Sequence, residues 1–65
     1  MNRVDEIINR IMARDKTEED VIQIHNELVN CDWTMEEQVK LMYSGYTEML
    51  AMTYDAIMLK KQQSV

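Results

Sequence analysis

The chain has no proline, no phenylalanine, one glycine, one histidine and one cysteine. Without proline, no position is barred from a helix interior, and the single glycine, Gly45, is the only other strong breaker. A lone cysteine, Cys31, excludes an internal disulfide and suits a reducing compartment, so a cytoplasmic protein is the expectation. No unbroken apolar run is longer than that of Ala56-Ile57-Met58-Leu59, far short of a membrane span. The first residues turn acidic at once at Asp5 and Glu6, so no secretory signal is expected. Positive charge is also scarce: 7 Lys and Arg stand against 12 Asp and Glu, for a net charge of −5 and a pI near 4.6. That balance argues against nucleic acid and against an anionic membrane surface, and leaves a basic protein partner open.

Catalytic and metal chemistry are equally short of material. Nucleophilic catalysis needs a base beside a serine or cysteine. His25 is the only histidine, Ser44 stands next to Gly45, and Ser64 lies in the tail. His25 and Cys31 are six residues apart, some 120° out of line on a helix, and the positions three and four away from His25 are Val21, Ile22, Leu28 and Val29. No Glu-x-x-His arrangement exists, the acids around Asp15 to Asp20 lack the glycine and spacing of an EF-hand, and no glycine-rich phosphate loop is present. No enzyme, cofactor or metal is expected. Amid its apolar neighbours, His25 reads as a core histidine satisfied by a hydroxyl or carbonyl, with pH sensing or ligand contact as the alternatives.

What is present is helical pattern, in one domain over residues 1–65. Asn2 caps a first helix over residues 3–14, whose Val4, Ile7, Ile8 and Ile11 fall at i, i+3, i+4 and i+7. Thr17 opens a second over residues 18–31, with Glu18, Glu19 and Asp20 in its first turn and Val21, Ile24, Leu28 and Val29 along its apolar side. Thr34, with Glu37 three residues on, opens a third and long helix over residues 35–62; the tail after it is expected to fray. Its main face reads Met35, Val39, Met42, Tyr46, Met49 and Thr53, with Tyr43, Leu50, Tyr54 and Ile57 beside it. Such alternating steps of four and three are those of an antiparallel bundle seam. The fold class is therefore all-α: three helices in a small bundle.

That third helix carries more apolar surface than the chain can cover. It would run ~42 Å, against about 18–23 Å for each of the others, and helices 1 and 2 could lie along it side by side or end to end. Leu41, Met52 and Leu59 share a line that points away from Val39, and Gly45 near that line permits close backbone approach. Self-association through Leu41, Gly45, Met52 and Leu59 is the expectation. A second candidate site joins Arg10 and Arg14, four residues apart, with Tyr43 and Tyr46, an arrangement suited to an anionic ring-bearing ligand.

The reading that follows is a non-enzymatic, acidic, homo-oligomeric binding protein that masks or inhibits a protein partner. In size and plainness it is similar to the small helical inhibitors that phages encode against host proteins and immune systems, a resemblance of genre over the whole chain, carried by no motif. A sequestering protein for a nucleotide-like anion held between subunits is the alternative, and a structural assembly module the third.

Overall fold

The structure is a computed structural model that describes residues 2–63. It is all-helical, with α1 at Arg3–Met12, α2 at Glu18–Asn30, α3 at Met35–Ser44 and α4 at Tyr46–Gln63, and no strand among the described residues. The tail remains helical through Gln63, while Ser64 and Val65 lie outside the described residues.

Three helix starts follow from capping chemistry. The Asn2 side chain accepts from the Asp5 amide at 2.9 Å. Thr17 and Asp20 form a reciprocal capping box, as do Thr34 and Glu37, each pair exchanging two hydrogen bonds of 3.0–3.2 Å. The first helix ends at Met12, two residues before the expected boundary. There the Lys16 ammonium donates to the Ile11 and Ala13 carbonyls at 2.5 and 2.7 Å, giving the end of α1 both partner and positive charge.

The long third helix is two helices, and this corrects the count from three to four. Gly45 sits at φ +76°, the left-handed conformation that terminates a helix and that side chains with a Cβ rarely adopt. Around it, Ser44 Oγ donates to the Leu41 carbonyl at 2.7 Å and accepts from the Tyr46 amide at 3.2 Å, while Thr47 Oγ1 donates to that same carbonyl at 3.3 Å. These bonds occupy groups that a continuous helix would have satisfied through its backbone. Nothing lies within 4 Å of the place a Gly45 Cβ would take, so the requirement for glycine is conformational. Gly45→Ala is expected to cost about 1–2 kcal/mol in thermal denaturation, the strain of a left-handed L-residue.

The core is Val4, Ile7 and Ile11 from α1, Val21 and Ile24 from α2, Leu41 from α3, and Leu50 and Ile57 from α4. Helices α1 and α2 lie side by side and antiparallel: Arg3 reaches Cys31 at the far end of α2, and Arg10 reaches Glu27. Both pack on α4, which serves as the spine.

The break also shifts the expected inward face. Met35, Val39, Met42, Met49 and Thr53 of the expected seam are exposed, as is Tyr43 beside it, and Leu41 turns inward instead, while Tyr46, Leu50, Tyr54 and Ile57 do pack inward as expected. A turn at positive φ resets the helical phase, so a periodicity read across Gly45 joins two faces that do not align.

Candidate functional site

The position of α3 is set by a cluster of long-range contacts at its N-terminus. Trp33 packs against the core and donates from Nε1 to the Leu28 carbonyl at 3.0 Å, folding the α2–α3 connection over the end of α2. The Arg3 guanidinium lies over the Trp33 ring, 5.0 Å from its centroid. It grips Glu37 with both oxygens engaged, Nε donating to Oε2 at 3.0 Å and Nη2 to Oε1, and also donates to the Asp32 carbonyl and to Cys31 Sγ at 3.3 Å each. Glu37 thus closes the capping box of α3 and ties α3 to the start of α1.

Arg3 and then the Thr34 amide hold the Glu37 carboxyl well below the usual carboxylate range, at about 2, while Glu37 raises the Arg3 guanidinium. A depressed carboxyl stabilises the fold above its unfolded pKa and loses that contribution as pH falls through the folded one. Glu37→Gln keeps the capping box and removes the charge. Wild type should melt higher than Glu37→Gln near neutral pH, and the gap should close between roughly pH 4.5 and pH 2. A gap that stays constant across that window would rule out a contribution from the ion pair.

Fixed in this way, α3 gives Leu41 to the core and turns its other apolar residues to solvent. Met35, Val39, Met42 and Tyr43 recur at i, i+4, i+7 and i+8 on one outward face, with exposures between 42 and 86 %. This face borders a groove of about 570 Å³ between the end of α2, α3 and the start of α4, whose walls include His25, Leu28, Trp33, Leu41, Met42 and Ala51. The His25 ring on its wall stacks on Tyr54, with centroids 3.6 Å apart and planes 5° from parallel. Among the described residues its buried Nδ1 has no hydrogen-bond partner, so the hydroxyl or carbonyl expected to satisfy the ring is not found at that atom.

Helix α4 carries a second outward stripe. Met49, Met52, Ala56 and Leu59, at steps of three, four and three, are exposed opposite the side that holds Leu50 and Ile57. This helix is apolar on two sides, and one of them is uncovered.

Of the residues expected to form an oligomer face, Met52 and Leu59 lie on this stripe, Gly45 is the joint, and Leu41 is buried. The shared line ends at Gly45. The four expected ligand residues do not line either major groove together. Arg10 faces the α1–α2 groove and is paired with Glu27, and Arg14 stands in the turn after α1 instead of one helical turn beyond Arg10. Tyr43 projects into solvent, and Tyr46 packs against the core. Sequence reasoning missed the Arg3–Trp33–Glu37 cluster and the outward face of α3. The Ser44-Gly45 pair, a helix-stop signal, could have exposed the second but not the first.

Comparison with protein-family models, with curated proteins and with solved structures finds no match to this chain.

Proposed function

We propose that this chain is a non-enzymatic binding protein that masks a protein partner, docking an amphipathic helix of that partner on the outward face of α3 and in the groove beside it. The observation that carries the reading is that α3 spends one apolar residue, Leu41, on the core and presents Met35, Val39, Met42 and Tyr43 to solvent. Methionine-rich faces adapt to irregular apolar surfaces, and a helix laid in a groove anchors at this spacing. Asp32 on the groove wall, Glu36 on the edge of α3 and the net charge of −5 favour basic residues flanking the partner's apolar stripe. The nucleotide-sequestering alternative draws less support, because Arg10 is already engaged by Glu27 and Arg3 by Glu37.

The test is titration of methyl-labelled protein with a synthetic amphipathic peptide of leucine and lysine, and with its leucine–glutamate counterpart. The lysine peptide should shift the Met35 and Met42 methyl signals and leave that of Met58 in place. Met42→Glu should weaken binding about tenfold or more by setting a charge against the apolar contact. Equal binding of both peptides, or shifts spread over all methionines, would defeat the reading. A rise in melting temperature with mononucleotides or cyclic dinucleotides would revive the alternative.

A further inference from the structure

The outward stripe of α4 has an occupant written into its edges. We propose that it pairs with the same stripe of a second copy, with the two α4 helices parallel and in register. This proposal concerns a different helix face from the partner-docking reading and does not depend on it.

Met49, Met52, Ala56 and Leu59 occupy the positions a heptad seam requires, over about 15 Å of helix. Their large side chains are 57–70 % exposed, and Ala56 at the centre lets two backbones approach to the short end of the usual 8–10 Å spacing. One edge of the stripe carries Glu48 and Asp55, and the other carries Thr53 and Lys60. No ion pair within the chain engages Glu48, Asp55 or Lys60 among the described residues.

The edge charges choose the orientation. A two-fold axis along the helices brings opposite edges together, so Asp55 of each copy meets Lys60 of the other, the interhelical edge contact of parallel coiled coils, and Glu48 meets Thr53. A two-fold axis across the helices would set each Glu48/Asp55 edge against its own copy, acid against acid. The parallel arrangement forms two ion pairs by symmetry; the antiparallel one forms none.

Sedimentation equilibrium from about 5 to about 500 µM should show the mass rising from 7.8 kDa toward twice that value. Met42→Glu on α3 should leave this rise unchanged, which separates failure here from failure of the docking reading. Lys60→Glu should weaken association about tenfold by making both edges acidic, and the charge swap Asp55→Lys with Lys60→Glu should restore it. Orientation is read by cysteine cross-linking in a Cys31→Ser background. Met49→Cys should oxidise to a covalent dimer with itself, since parallel pairing places the two copies of residue 49 side by side. Antiparallel pairing would separate them by about 15 Å and cross-link Met49→Cys protein to Leu59→Cys protein instead. A monomer throughout the concentration range, cross-linking between 49 and 59 alone, or a charge swap that fails to restore association would each overturn the proposal.

Discussion

Leu50→Ala should remove between about a quarter and all of the stability of this fold. Leu50 is 2 % exposed, and with Ile24 it is one of the two large side chains the core encloses most completely. It sits on α4, against which α1, α2 and α3 all pack, so no single neighbour can close the gap by shifting. Truncating a buried leucine costs about 2.7–5 kcal/mol, the loss of transfer energy plus that of the cavity left behind. A domain of 65 residues has a total of about 3–10 kcal/mol at the usual stability per residue. Circular dichroism should show the variant melting tens of degrees lower or unfolded at room temperature. Met52→Ala, on the outward side of the same helix, should move the low-micromolar melting curve by less than about 0.5 kcal/mol. If the two variants melt alike, the inward and outward sides of α4 have been exchanged.

Trp33→Ala should be the next most damaging change, at about 2–4 kcal/mol, below the full cost of a buried tryptophan because the ring is only partly covered. The ring closes the α2–α3 junction, lies under the Arg3 guanidinium, and donates to the Leu28 carbonyl. Trp33→Phe separates these contributions. It restores the apolar cover and a face for Arg3 but leaves the carbonyl without its donor, and so should cost about 1 kcal/mol. A phenylalanine variant as unstable as the alanine one would assign the whole effect to the hydrogen bond and remove the ring-packing argument.

These two positions mark the limits of what the sequence discloses. The first helix was legible because Val4, Ile7 and Ile11 alternate with charge, so only one face can be buried. The caps at Asn2, Thr17 and Thr34 were legible because capping is local chemistry, complete within four residues. Helices α3 and α4 were different. The Met35–Val39–Met42 stripe is as apolar as the Leu50–Ile57 line, and hydrophobicity alone does not say which turns inward. That choice depends on one dihedral at Gly45, which rotates α3 relative to α4 and sends Leu41 inward in place of its neighbours. Arg3 and Glu37 lie 34 residues apart, so their pairing depends on the assembled fold and not on any spacing in the chain. Likewise, Arg14 leaves the flank of Arg10 because α1 ends at Met12, where the Lys16 ammonium bonds the Ile11 and Ala13 carbonyls.

The side-by-side placement of α1 on α4 sets the timing of synthesis. The isoleucines of α1 lie near the beginning of the chain, and their cover arrives near its end: Ile57 follows Ile11 by 46 residues. At about 5–20 residues per second, a ribosome takes about 2–9 s to add that stretch, whereas a helix forms in microseconds or less. For seconds the nascent chain therefore carries a Val4–Ile7–Ile11 stripe that only α2 and then α3 can partly cover, and the core closes when α4 emerges. Chaperone capture of this protein would fall in that interval, and slow translation downstream of residue 12 would lengthen it.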